Sequence, residues 1–229
     1  MILATAARFA VYYAPRPEDP LWSAGCAWIG RDAASGRAIP QPLLPGIAEV
    51  TALPRLYGFH ATLKPPMRLA KGTTAQELRT ALQAITAAIA PFPLPRLAVG
   101  ELDGFLALRP TEAEPRLNAL CDAVVAGLDR LRAPLSPKET ARYSSAGLSP
   151  LQRRMLQRWG YPHVFAAWRF HMTLTRKLSS SEFAFWKNAV EAHFQEALRR
   201  PREVRDVCLF LQPKQAAAFR LVARFALRG

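Results

Sequence analysis

The chain has 229 residues, half of them hydrophobic and 21% charged, enough for one large domain or two small fused lobes. No apolar run approaches the ~20 residues a membrane-spanning helix needs, and Met1 to Ala10 lacks the charged start and long apolar stretch of a secretory leader, so the expectation is a cytoplasmic protein without a membrane partner. The formal net charge of +14 favours phosphorylated metabolites, nucleic acid or acidic lipid as partners, but the Ala- and Arg-rich composition of a high-GC genome produces the same imbalance, so charge alone selects none of them.

In chain order, Arg8 to Tyr13 is β-rich and alternating, a first strand ending at Pro15. Leu21 to Ile29 reads as a short helix stopped by Gly30, and Ala33 to Leu56 as a long Pro- and Gly-rich loop with short helical turns. A strand at Tyr57 to Lys64 is expected to break at Pro65-Pro66. Thr73 to Ala90 opens with a Thr-Thr cap and repeats Leu78, Leu82, Ile85 and Ile89 at helical spacing. Arg96 to Glu101 and Phe105 to Arg109 form a hairpin around Asp103-Gly104.

Glu114 to Leu131 is a second amphipathic helix, with Leu117, Leu120, Val124 and Leu128 on one stripe. A loop with Pro134 and Pro137 leads to a short helix from Pro150 to Trp159 capped by Ser149. Trp168 to Thr175 is then expected as a strand, Ser181 to Arg199 as a helix, and Val204 to Leu211 and Ala217 to Ala226 as strands. The order strand–helix–strand–strand thus occurs twice, over about 57–109 and 168–226. The fold class this predicts is α+β: a single bilobal domain of two pseudo-symmetric lobes, each an antiparallel sheet with helices packed outside and a cleft between them.

Each copy opens on the same signature, Phe59-His60-Ala61-Thr62-Leu63 and Phe170-His171-Met172-Thr173-Leu174. Strand side chains alternate faces, so His60, Thr62 and Lys64 are expected to point one way and their apolar neighbours the other; His171, Thr173 and Thr175 repeat the pattern. Two imidazoles flanking one cleft suffice for a cyclic phosphodiester. One neutral His takes a proton from water while the other, protonated, gives one to the leaving alkoxide. Thr62 and Thr173 hold the phosphate oxygens. One H-x-T alone is weak evidence and usually marks a structural histidine. Two among four histidines, each opening a matching unit, reverse that balance. Pseudo-symmetry leaves open which His is acid and which base.

Other residues carry paired readings. Lys64 either neutralises phosphate or ends an exposed strand, and Arg176, one residue out of phase, is a substrate contact or a surface charge. Tyr12 sits among small neighbours, lining the cleft or packing in the core. Arg142 is a candidate phosphate anchor from the connecting loop, and Tyr161 either approaches the site or packs on Trp159. His163 reads as a loop or edge residue, His193 as a helix flank, and Arg153, Arg154 and Arg158 as a solvated helix face. Cys26, Cys121 and Cys208 read as buried small hydrophobes. No metal-ligand spacing is present, so neither metal nor cofactor is expected. The scattered tryptophans offer no stacking platform for single strands. The expected partner is a small phosphorylated cyclic substrate; RNA is the second choice, as a 2′,3′-cyclic phosphate end. A non-catalytic module that binds RNA or a phosphorylated ligand is the other alternative, and no obligate protein partner is inferred. The stretches 33–51 and 133–148 are lids or plain connections.

Paired H-x-T motifs on duplicated units resemble the 2H phosphoesterase superfamily, which includes 2′-5′ RNA ligase-like proteins and cyclic nucleotide phosphodiesterases. The wider context, Tyr12-Tyr13-Ala14-Pro15, Leu21-Trp22, Gly30-Arg31-Asp32, Tyr57-Gly58 before the first signature, Lys64 after it and Trp159-Gly160-Tyr161-Pro162, resembles the DUF1045 branch over nearly the whole chain. That resemblance implies hydrolysis of a cyclic phosphate formed during carbon–phosphorus lyase breakdown of phosphonates, 5-phosphoribosyl 1,2-cyclic phosphate being the substrate it suggests. The sequence departs from the branch at Arg142-Tyr143-Ser144, where only Arg142 remains of an expected arginine run, and at His163, where Tyr is expected.

Overall fold

The structure, a computed structural model, describes residues 7–144 and 147–229. Residues 1–6, part of the stretch read for a leader, and residues 145–146, part of the 133–148 connection, lie outside the described residues. The elements run β1 (Arg8–Tyr13), α1 (Pro20–Ile29), the short helices α2 (Ile47–Val50) and α3 (Ala52–Tyr57), and β2 (Ala61–Met67). Then come α4 (Ala75–Ala87), β3 (Phe92–Leu94), β4 (Leu97–Leu102), β5 (Phe105–Pro110) and α5 (Pro115–Gly127). The second half holds α6 (Pro137–Ser144), α7 (Pro150–Trp159), β6 (Met172–Thr173), α8 (Ser180–Leu198), β7 (Arg202–Val204), β8 (Asp206–Gln212) and β9 (Arg220–Ala226).

The fold is α+β. Seven strands form one antiparallel sheet in the order β4-β5-β6-β2-β1-β8-β9, and β3 and β7 pair separately. The hairpin β4–β5 pairs beside β6, the signature strand of the other half, while β8–β9 reaches β2 through β1. Each half therefore completes the sheet around the other's signature, and the signature strands β2 and β6 are neighbours at its centre.

Alternation along β1 sorts the two faces. Phe9, Val11 and Tyr13 enter the main core with Leu78 and Leu82 of α4, Leu117 and Val124 of α5, and Trp186, Val190 and Phe194 of α8. Ala10, Tyr12 and Ala14 join Cys208, Phe210 and Phe219 in a smaller cluster on the other side. Helix starts follow from caps: Thr74 and Glu77 form a capping box on α4, and Ser149 and Gln152 one on α7. Among the described residues no helix is long and apolar enough to cross a membrane, and all three cysteines are buried and unpaired.

Two expected elements differ. The first signature strand starts at Ala61 and runs through Pro65-Pro66 to Met67, and Tyr57 instead ends α3. Only Ala61 pairs with β6, so beyond it that edge of β2 is unpaired, and on the β1 side Pro65-Pro66 fall in the register break between the Lys64–Val11 and Met67–Phe9 pairs, where a missing donor is tolerated. The strand expected over Trp168 to Thr175 is reduced to Met172–Thr173. Side chains replace missing ladder bonds around it: Trp168 Nε1–H donates to the Thr62 carbonyl (2.8 Å), and Thr175 Oγ1 accepts from the Leu106 amide (3.0 Å).

Candidate active site

His60 and His171 each stand immediately before a signature strand, and the backbone fixes both rings in the same way. His60 Nδ1 lies 2.8 Å from the carbonyl of Gly58, and His171 Nδ1 lies 2.8 Å from that of Arg169. A carbonyl only accepts, so each Nδ1 carries the proton and each Nε2 presents a lone pair in the neutral form. Gly58 makes the first of these bonds possible. Its φ of +88° and ψ of 171° suit glycine alone, and a Cβ there would stand 2.7 Å from the Cβ of Ala33.

The register does the rest. Ala61 opposite Met172 sets His60 across from Thr173 and Thr62 across from His171. Each imidazole thus faces the threonine of the other signature, and diagonal neighbours such as the two histidines stand roughly 7–8 Å apart in such a pair. Two adjoining cavities follow this crossing. One, of about 480 Å³, is lined by His60 and Thr173 with Arg8, Tyr12, Tyr57, Arg142, Tyr143 and Tyr161. The other, of about 510 Å³, is lined by His171 and Thr62 with Phe105, Gln152, His163, Trp168 and Arg169. Thr62, Pro65 and Tyr161 belong to both.

Burial lowers the pKa of His60 from 6.5 to about 4, the Gly58 bond opposing and the charge of His171 adding to the fall. Burial also lowers His171, with His163 and Arg109 adding to the fall and the Arg169 bond opposing it. Thr62 Oγ1 lies 3.2 Å from His60 Nε2 and donates to it in this tautomer. The Tyr12 ring stacks on the His60 ring at 3.8 Å between centroids and 28° between planes. Burial pushes the Tyr12 phenol well above its ordinary value, so it remains a hydroxyl donor.

The structure thus brings His60, His171, Thr62, Thr173 and Tyr12 together, with Arg142 in the wall of the His60 cavity. Lys64 is a correction. Tyr12 pairs with Thr62 but Val11 pairs with Lys64, so β2 carries an extra residue there, and this bulge turns Lys64 to the helix side. Lys64 is 2% exposed, and its Nζ donates to the Val125 carbonyl at 3.0 Å, with Asp129 at 4.0 Å. Arg176 is a second correction: it is held by Glu182 (2.8 Å) and Glu49 (3.2 Å) and lines neither cavity.

Tyr161 lines both cavities rather than only packing on Trp159, and His163 lines the second. His193 bonds the Ala24 carbonyl away from the site, and Arg158 pairs with Asp129. Arg8 escaped the sequence reading, although it shares strand parity with Tyr12; that parity was the available signal. Tyr57, read as the start of the first signature strand, instead ends α3 and reaches the cavity from there, and Tyr143 reaches it on α6, in a stretch that read as loop. Helix α6 walls the first cavity with Glu139, Arg142 and Tyr143. Among the described residues no three His, Cys, Asp or Glu side chains gather as a metal site.

Residues 62–220 match the model of DUF1045, described as a protein of unknown function. The chain belongs to the DUF1045 family. This DUF1045 protein is 39% identical over 216 residues to a ribose 1,5-bisphosphate phosphokinase PhnN of Laribacter hongkongensis, a match covering 93% of the chain and 50% of the relative. A protein of the same name from Janthinobacterium is 39% identical over 199 residues, covering 83% of the chain and 44% of the relative. The chain therefore spans about half the length of these curated relatives. Among solved structures it is similar to E. coli LigT in apo form, with TM-score 0.47, 14% identity, and 99% and 100% of the two chains covered. E. coli LigT complexed with NADP+ gives TM-score 0.46 at 12% identity, covering 98% and 99%.

Proposed function

We propose that this DUF1045 protein is a 2H phosphodiesterase that hydrolyses a small cyclic phosphodiester by metal-independent two-histidine acid–base catalysis. The observation that carries the proposal is the crossed quartet: two imidazoles with identically fixed tautomers, each facing the other signature's threonine. His60, held neutral by burial, takes a proton at Nε2 from the attacking water. The water oxygen bonds to phosphorus, and the ester P–O bond breaks. The leaving alkoxide takes its proton from Nε2 of the protonated His171. Thr62 and Thr173 hydrogen-bond the non-bridging oxygens, where charge builds.

The choice of 5-phosphoribosyl 1,2-cyclic phosphate, in phosphonate breakdown, rests on the family resemblance and on the relatives' printed name, which shares the 5-phosphoribosyl unit. The chain spans about half of those relatives, and the phosphokinase activity in their name is not carried over to it. The dipeptide Gly-Lys of a nucleotide-binding P-loop does not occur in this chain. Phosphorus NMR with EDTA present, on this sugar phosphate and on nucleoside 2′,3′-cyclic phosphates, tests the proposal. Opening of the sugar phosphate, abolished by His60→Ala and by His171→Ala, is the expected result. Opening of the nucleotides alone moves the substrate to RNA ends, and silence on both overturns the proposal.

A further inference from the structure

The two cavities share a wall but differ in chemistry, and the difference lies around Arg8. Its Nε donates to Gln212 Oε1 at 2.7 Å, and its guanidinium carbon sits 5.7 Å from the Phe219 ring centroid. Both contacts fix the side chain from behind, and its two terminal nitrogens make no hydrogen bond to any described residue. Beside it, the Tyr12 hydroxyl is buried with no partner among the described residues. An unpartnered buried hydroxyl is uncommon and points to a ligand that supplies the acceptor. Arg142 lies in the same wall, with Tyr143 Oη 3.4 Å from one of its nitrogens. The nearby carboxylate, Glu139, is already taken by Arg68 (3.1 Å) and by the Ser136 amide and hydroxyl (2.7 Å each), so it leaves the cavity little negative charge. The His171 cavity has a different character: Phe105, Trp168 and Gln152 line it, with one acidic residue, Asp103, and one basic residue, Arg169.

We infer that the substrate carries two phosphate groups. The cyclic diester lies between His60 and His171, and a second, terminal phosphate monoester lies in the tyrosine-lined cavity, held by Arg8, Tyr12 and Arg142. The position of the diester rests on the reading under Proposed function; the terminal phosphate site rests on Arg8 and Tyr12 alone. A fixed guanidinium with two open nitrogens suits a monoester dianion, which accepts two parallel bonds, and the Tyr12 hydroxyl adds a neutral donor. The relevant selectivity is between cyclic sugar phosphates with and without the extra phosphate.

The test compares kcat/KM for 5-phosphoribosyl 1,2-cyclic phosphate and for ribose 1,2-cyclic phosphate, in the parent, Arg8→Gln and Arg142→Gln. Calorimetry with ribose 5-phosphate and with ribose accompanies it. Gln at position 8 retains a group able to bond Gln212, and Arg142 is exposed, so at least one variant folds normally. The parent is expected to prefer the phosphorylated substrate, and Arg8→Gln to reduce that preference about 10- to 100-fold, through KM. Equal use of both substrates overturns the inference and leaves the hydrolase reading standing, as does a preference untouched by both variants. Ribose 5-phosphate binding that exceeds ribose binding and weakens in Arg8→Gln, without turnover of any cyclic phosphate, supports the subsite while sinking the hydrolase reading. Ribose 5-phosphate bound no better than ribose overturns the subsite.

Discussion

Replacing Lys64 by Met separates the strand-parity expectation from the structure. The ammonium is 2% exposed, and burial lowers its pKa from 10.5 to about 8, with Asp129 opposing and Arg132 adding to the fall. At 1.36 kcal/mol per pH unit, keeping this group charged costs folding about 3 kcal/mol at neutral pH. Met keeps the aliphatic stem and removes the charge, but it forfeits the bond to the Val125 carbonyl, worth about 1–2 kcal/mol. The net expectation is a gain of about 1–2 kcal/mol, which for a chain of this size raises Tm by roughly 2–8 °C.

The pH dependence gives a second readout of the same substitution. The unfolded chain holds the Lys64 proton up to about 10.5, the folded chain only to about 8. In that window the unfolded state binds more protons, so the parent becomes more stable as pH rises and the Met variant lacks this increment. Urea melts at pH 7, 8, 9 and 10 measure both effects, and phosphodiesterase assays of the same samples should show unchanged rates. A well-folded Lys64→Met protein with a large loss of kcat/KM would place Lys64 in the site and refute its assignment to the helix side. So would melts that show the parent's pH increment preserved in the variant.

The remaining predictions concern the site itself. Gly58→Ala forces a side chain into a glycine-only conformation, which costs about 1–3 kcal/mol of strain and displaces the carbonyl that orients His60; thermal melts should fall and kcat should drop at least tenfold. Near-normal kcat in that variant would show that the Gly58 bond does not set the ring. Trp168→Phe removes the indole bond to the Thr62 carbonyl and should cost about 1–2 kcal/mol with faster amide exchange where β2 meets β6; unchanged exchange contradicts this. Under the proposed mechanism His60 acts neutral and His171 protonated, so kcat/KM should fall as pH drops through about 4 and fall again as pH rises through the lowered pKa of His171. An acid limb centred at 6.5 or above would contradict the neutral His60.

Much of this was legible in the sequence because its causes are local. The paired signatures, the caps at Thr74 and Ser149, and the period-two pattern of Arg8 to Tyr13 each depend on neighbours within a few residues. What was not legible depends on distant pairing. Strand parity puts Lys64 beside Thr62, and only the mismatch between β1 and β2 reveals the bulge that turns it away. Pro65-Pro66 read as a break, and only the shortness of β6 on one edge and the register break against β1 on the other show why prolines are tolerated there. The crossing of each histidine to the other signature's threonine follows from one cross-strand register, Ala61 to Met172, which no single strand encodes. Tyr57 read as the first residue of a strand and instead ends a short helix, and Tyr143 enters the cavity from a helix in a stretch that read as loop, so the local pattern at neither position points to the cavity.

The most direct test of the central claim is a double-mutant cycle on the two histidines, read as single-turnover opening of the cyclic phosphate, with folding checked by thermal melts. If His60 and His171 act as one acid–base unit, each Ala variant loses roughly 10²- to 10⁴-fold, and the double variant loses little more than the worse single one. A well-folded single variant that keeps a near-parental rate, or losses that simply multiply in the double variant, would contradict the paired mechanism.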